Sequence, residues 1–133
     1  MKLNIQNKFT EKLPADPITE NYVRQVSGAC FSYVTPEKPS NPKVIHVAED
    51  ILELIGLEPK DVSSGEFLSV FSGTSIYPET KPFAMAYAGH QFGNWAGQLG
   101  DGRAINLFEI EHNYQSWMLQ LKGAGKTPYS RRG

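Results

Sequence analysis

Glycine crowds one stretch of this chain. Tyr87-Ala-Gly-His-Gln-Phe-Gly-Asn-Trp-Ala-Gly-Gln-Leu-Gly-Asp-Gly-Arg103 holds five glycines in seventeen residues, and its last cluster, Gly97-x-x-Gly100-x-Gly102, runs directly into Arg103. Glycine at that density lets the backbone adopt positive φ and approach a ligand with no Cβ in the way. Successive N–H groups in such turns converge on anions, and a guanidinium beside them adds a bidentate grip on phosphate. A second cation, Lys122, follows about twenty residues on, in Leu119-Gln-Leu-Lys-Gly-Ala-Gly125. The plainer alternative for the glycines alone is a tight turn beside a solvated arginine. His90 lies in the same stretch, but no second His, Cys or carboxylate stands at metal-binding spacing, so it reads as a structural, hydrogen-bonding histidine.

Lys122 has to be brought to the glycines by the elements between them. Ala104–Ile110 reads as a strand with apolar residues on both faces, Glu111–Ser116 as a polar hairpin loop, and Trp117–Lys122 as a second strand. Side chains alternate faces along a strand, so Trp117, Leu119 and Leu121 share the core face and Met118, Gln120 and Lys122 the more polar one. Glycine loop, strand, hairpin, strand and lysine together make a recipe for holding a triphosphate, as in protein kinases. The glycine order differs from theirs: Gly-x-x-Gly-x-Gly here, Gly-x-Gly-x-x-Gly in kinases. Gly125-Lys126-Thr127 resembles the end of a P-loop, but Gln120 stands where its first glycine belongs. The dinucleotide fingerprint fails too, because its third glycine position is Ile105.

Upstream, residues 1–28 carry Pro14, Pro17 and mostly polar side chains, and read as an extended leader with Asn21–Val26 a short strand. Ala29–Thr35 reads as a strand stopped by Pro36, and Lys43–Val47 as another. Ala48–Ile55 is a predicted helix with Glu49 and Asp50 in its first turn and Gly56 just past its end. Glu58–Ser63 and Glu66–Phe71 are two more short helices, the first opened by Pro59. Phe83–Gln91 has an uneven apolar pattern, helical at best. Three parts result: a leader (1–28), strands and short helices (29–82), and the glycine loop, hairpin and lysine strand (83–133). The fold class is α+β, an antiparallel sheet with a few short helices.

At 133 residues this is about one domain, with 40% apolar residues. Thirteen Lys+Arg against fourteen Asp+Glu leave a net charge of −1, which argues against a nucleic-acid partner. One cysteine, Cys30, excludes an internal disulfide and reads as a buried structural thiol of a reducing compartment. No apolar run reaches membrane-span length and the amino terminus lacks a signal-peptide core, so the expected setting is cytoplasmic. The glycine-terminated ending, Thr127-Pro-Tyr-Ser-Arg-Arg-Gly133, suggests the N-terminal piece of a longer protein.

Three segments, Tyr87-Ala-Gly-His-Gln-Phe-Gly93, Gly97-Gln-Leu-Gly-Asp-Gly-Arg103 and Leu119-Gln-Leu-Lys-Gly-Ala-Gly-Lys-Thr-Pro-Tyr-Ser-Arg131, closely resemble the selenoprotein O family, called YdiU in bacteria. Leu13-Pro-Ala-Asp-Pro17 and the Ala29–Pro36 strand are similar as well, so the resemblance spans nearly the whole chain. It implies a protein-kinase-like fold, of which this chain would be an N-lobe fragment. It further implies a protein adenylyltransferase that moves AMP from ATP to protein hydroxyls, with the nucleotide flipped relative to kinases. Position by position, Gly100, Gly102 and Arg103 match the family's nucleotide-contacting loop, and Lys122 its phosphate-contacting lysine. The catalytic aspartate and the Mg²⁺ ligands of the family match nothing in this chain. The implied partners are ATP, Mg²⁺ held outside this chain, and protein substrates of the full-length enzyme. A fragment of this kind is expected to be inactive alone and prone to self-association through uncovered apolar surface. The alternative is a non-catalytic nucleotide-binding or interaction module.

Overall fold

The computed structural model describes residues 1–131. Arg132 and Gly133, the end of the Thr127–Gly133 segment, lie outside the described residues. The elements run in order β1 (Ile5–Gln6), α1 (Lys8–Lys12), β2 (Phe31–Tyr33), α2 (Glu49–Leu54), α3 (Pro59–Val62), α4 (Gly65–Phe71), β3 (Phe83–Met85), β4 (Ala88–Gln91), β5 (Asn94–Gln98), β6 (Ala104–His112) and β7 (Gln115–Lys122). The class is α+β, with antiparallel strand pairing throughout the named strands.

β6 is the organising strand. Ala104 to Phe108 are buried without alternation, as expected of a strand covered on both faces. One edge of β6 pairs with β7, from Ala104↔Lys122 to His112↔Gln115. The other edge takes β3 at Phe83↔Asn106 and β1 at Ile5↔Ile110, and β2 adds beyond β3. A bulge separates the pairs Asn106↔Gln120 and Phe108↔Leu119, leaving Leu107 as the extra residue. An inserted residue resets the two-residue alternation. Leu107 and Phe108 therefore both reach the core that α2 and α4 close with Leu52, Phe67 and Val70. Trp117, Leu119 and Leu121 of β7 pack against that core. Gln120 instead donates to Asn106 Oδ1 (3.1 Å) on the opposite face, so the predicted division of the Trp117–Lys122 strand holds.

The short helices follow their local signals. Glu49 and Asp50 open α2, and Gly56 follows its end at φ +79°. Pro59 opens α3, where Glu58 N donates to Asp61 Oδ2 at 2.9 Å. Ser64 caps α4 by accepting from Phe67 N at 3.1 Å.

Five expectations need correction. The leader is not featureless: β1 extends the sheet, and α1 seats Phe9 against Phe31 and Phe83. Asn21–Val26 forms no strand, because side chains rather than a neighbouring strand meet its backbone. Arg24 Nη1 bonds the carbonyls of Glu20 and Tyr22, and Gln98 bonds Arg24 O and Val26 N. Lys43–Val47 forms no strand either, and Ile45 is 96% exposed with no sheet to pack on. Phe83–Gln91 is β3 and β4 rather than helix, since sheet pairing on β6 and β5 overrides a pattern with no clear period. The polar hairpin loop shrinks to Asn113 and Tyr114, at φ 48° and 61°, the positive values of a type I′ turn.

Tyr114 is fully exposed at a backbone angle that costs a non-glycine residue about 1 kcal/mol or more. Tyr114→Gly is therefore expected to raise unfolding free energy by about 1 kcal/mol. Urea denaturation checks this, and an unchanged or lower midpoint counts against the turn assignment.

Candidate functional site

The glycine stretch is mostly sheet. β4 and β5 form a two-stranded ribbon that reverses at Phe92 and Gly93, at φ 51° and 81°. Its pairing continues past β5, with Leu99 N donating to Tyr87 O (2.8 Å) and Asp101 N to Met85 O (2.9 Å). Only residues 100–103 remain as a loop, and it is clamped rather than free. The Asp101 carboxylate accepts from Met85 N and Asn106 Nδ2, both at 2.9 Å. Thr127 Oγ1 donates to Asp101 O at 2.6 Å, and Ser130 Oγ donates to Gly102 O. Close approach requires glycine at position 100 and leaves little room for a side chain at 102. A Cβ on Gly100 would lie 2.7 Å from the Tyr129 ring and 2.8 Å from Met85 O, and one on Gly102 3.2 Å from Tyr129 O.

Arg103 and Lys122 meet at the same end of the β6–β7 hairpin. Ala104, next to Arg103, is the register partner of Lys122. Arg103 O accepts from Gly123 N (2.8 Å) and Ala124 N (3.2 Å), which stitches the loop to the end of β7. Both side chains are exposed, and neither forms an ion pair among the described residues. The structure thus brings the backbone at Gly100, Gly102, Arg103 and Lys122 to one end of the β6–β7 hairpin, with both charged side chains exposed. A cleft of about 380 Å³ lies between residues 25–29 and the β4–β5 ribbon. It takes in Gly97, Tyr87 and Trp95 but not Gly100, Gly102, Arg103 or Lys122.

Behind the loop sits a buried ionic network. Asp16, 5% exposed, pairs with Arg24, accepts from Ser32 Oγ (2.6 Å) and takes Ile18 N (3.0 Å) on its other oxygen. Ser32 Oγ lies 2.7 Å from the Tyr129 hydroxyl. The one Ser32 proton goes to Asp16, so Tyr129 is the donor to Ser32. Burial alone would raise the Asp16 pKa, but the Ser32 hydroxyl, the Ile18 amide and the Arg24 guanidinium outweigh it and hold the carboxyl below its ordinary 3.8. Burial pushes Tyr129 above its ordinary 10.0, and the Asp16 charge adds to it.

Comparison with known proteins places this architecture. The family model described as Protein adenylyltransferase SelO matches residues 18–133. The chain belongs to the SelO family. Among curated relatives, proteins named Protein nucleotidyltransferase YdiU are 64% identical over 129 residues in Flavobacterium johnsoniae and 53% over 130 in Rhodopirellula baltica. A third, from Methylobacillus flagellatus, is 48% identical over 130 residues. Each alignment covers 97% of this chain. The chain spans about a quarter of the length of these relatives.

Within this SelO-family chain, several residues matter that periodicity and motif logic did not single out. Asp101, Thr127, Tyr129 and Ser130 fix the glycine loop, and Asp16, Arg24 and Ser32 fix Tyr129. Their signal is weak, because isolated polar residues in loops give no period; only Asp16, set between prolines in Pro14-Ala-Asp-Pro17, stands out. Cys30 is half-buried rather than buried. His90 is exposed at the ribbon surface, edge-on to Trp95 at 5.1 Å. Lys126 is exposed and its carbonyl accepts from Asn21, with a turn rather than a helix following. No group of three or more His, Cys, Asp or Glu that could hold a metal occurs among the described residues. Likewise, no described helix is long and apolar enough to cross a membrane.

The pKa directions set a pH window. A depressed Asp16 contributes stability present above about pH 4 and lost as pH falls through its folded pKa. A raised Tyr129 contributes stability present below about pH 10 and lost as pH rises. Asp16→Asn, which leaves Arg24 buried without its counter-charge, is expected to cost about 3–5 kcal/mol near neutral pH. It should also flatten the loss of stability as pH falls below about 4. Denaturant titrations at several pH values read both effects, and a variant with the parent's acid slope would remove Asp16 from this role.

Proposed function

We propose that this chain is the N-terminal, ATP-binding part of a protein adenylyltransferase that transfers AMP from ATP to Ser, Thr or Tyr hydroxyls of proteins. Its antiparallel sheet forms the roof of the nucleotide site, in the manner of a protein-kinase N-lobe. The observation that carries this reading is the placement of Lys122 opposite Ala104, one residue from Arg103, with Arg103 O bonded to both residues after the lysine. Two exposed cations and a glycine loop held at one hairpin end suit a polyphosphate better than any other small anion, since several charges are met at once.

In this assignment the loop at Gly100 and Gly102 lets the phosphates approach the backbone. Arg103 and Lys122 offset charge that develops on the phosphates as the bond to the leaving pyrophosphate weakens. That is an electrostatic and positioning role. SelO membership and the relatives' names support nucleotidyl transfer as the chemistry. In this reading Mg²⁺ is held by residues outside this chain; of the nearby carboxylates, Asp16 is occupied by Arg24, and Asp101 Oδ2 already accepts from Met85 N and Asn106 Nδ2.

Calorimetric titration with ATP tests the reading. Lys122→Ala is expected to weaken affinity about tenfold or more, as loss of a charge-assisted contact does, while Lys126→Ala stays close to the parent. The reverse ranking overturns the strand-facing assignment. The chain alone, incubated with labelled ATP, Mg²⁺ and acceptor proteins, is expected to transfer no AMP. Robust incorporation overturns the claim that the transfer machinery is not in this chain. The exposed Tyr87, Phe92 and Trp95 of the β4–β5 ribbon favour the second reading, an interaction module, and that reading gains if no ATP binding is found.

A further inference from the structure

The hydroxyls of Thr127 and Ser130 are used in the same way. Thr127 Oγ1 accepts from Tyr129 N (3.1 Å) and donates to Asp101 O (2.6 Å). Ser130 Oγ accepts from Thr127 N (2.9 Å) and donates to Gly102 O. Each hydroxyl proton is aimed by the backbone N–H that its oxygen receives, so neither bond is a rotameric accident. Both side chains are buried, Thr127 at 1% exposure and Ser130 at 9%.

The consequence lies on the far side of the loop. In a planar trans peptide the C=O and the following N–H point in opposite directions. The Asp101 carbonyl shares its peptide plane with Gly102 N–H, and the Gly102 carbonyl shares its plane with Arg103 N–H. In a strand successive carbonyls alternate sides; here two in a row converge on one turn, residues 127–130. Gly102 N–H and Arg103 N–H must then both face away from that turn. Two successive amides aimed the same way form a concavity for an anion. The Arg103 guanidinium starts from the same residue, and Lys122 stands across the hairpin.

We propose that Thr127 and Ser130 are positioning residues for phosphate binding: by pinning the Asp101 and Gly102 carbonyls they turn the Gly102 and Arg103 amides into an anion-binding pair. This rests on the polyphosphate reading of Arg103 and Lys122. It adds that the loop's geometry is set by two hydroxyls that touch no ligand.

Tripolyphosphate is the probe, titrated into the ¹⁵N,¹³C-labelled chain and followed by NMR. In the parent, the Gly102 and Arg103 amides are expected to shift and saturate. Thr127→Val keeps the shape but removes the donor, so the Asp101 carbonyl carbon should move upfield and tripolyphosphate affinity should fall about fivefold, one hydrogen bond's worth. Thr127→Ser should restore both the carbonyl shift and the affinity to within about twofold, which a loss of folding could not do. Ser130→Ala should act in the same way at the Gly102 carbonyl carbon. Melting temperatures of all variants accompany the titrations. A Thr127→Val chain that shows the carbonyl shift yet binds like the parent overturns the proposal while leaving the phosphate reading intact. A parent that binds no tripolyphosphate overturns both. Should Thr127→Val melt far below the parent, Thr127→Ser at parental stability but reduced affinity is likewise a refutation.

Discussion

A single buried carboxylate ties the N-terminal segment to the edge strand β2 and to the turn behind the glycine loop. Asp16 is shared by the Arg24 guanidinium, the Ser32 hydroxyl and the Ile18 amide. A charge taken from water at that depth is tolerated only when its lone pairs are met, so the three donors are conditions of the fold rather than additions to it. Through Ser32 the same carboxylate orients Tyr129, whose ring fills the space that glycine leaves at position 100. Arg24 N also bonds Pro128 O, and Gln98 bonds Arg24 O and Val26 N. The residues that read as a leader are thus the back wall of the glycine loop.

β6 carries the other half of the organisation. It is paired on both edges and buried on both faces, so it tolerates neither a register slip nor a polar side chain without a partner. Asn106 is the exception that illustrates the rule. It is 1% exposed, and its amide spans Phe83 O, the Asp101 carboxylate and Gln120 Nε2. One side chain thereby ties β3, the glycine loop and β7 together. The bulge at Leu107 allows the polar face at Asn106 and Gln120 to coexist with an apolar face from Phe108 onward.

Legibility in the sequence followed the strength of local signals. The β6–β7 hairpin was readable because the alternation in Trp117–Lys122 follows closely on the polar run Glu111–Ser116, although that run gave the loop too long. The helices were readable from Pro59, Gly56 and the acidic first turn of α2. β1 and α1 were not, because two paired residues and one helical turn carry no period; their partners lie a hundred positions away at Glu109 and Ile110. Lys43–Val47 failed for the opposite reason: its β-branched residues had strand propensity but no sheet edge to meet. At the candidate site, glycine and lysine were visible as types, and the side-chain alternation placed Lys122 on its face. The clamp of Asp101, Thr127 and Ser130 was not visible, since hydroxyls and carboxylates in loops look alike until the chain folds them onto particular carbonyls.

The contacts that complete this fold join residues about a hundred positions apart. Lys8 reaches Glu111 across 103 positions, Phe9 N reaches Glu109 across 100, and Ser32 meets Tyr129 across 97. On a translating ribosome the first strand therefore has no partner until β6 has left the exit tunnel, whereas Asp16 already has Arg24, Ser32 and Ile18, and the Phe31 ring has Phe9 and Phe83. The β2–β3 pair can form early, but closure of the sheet waits for β6 and β7, and until then the nascent chain presents apolar edges to whatever chaperones meet it.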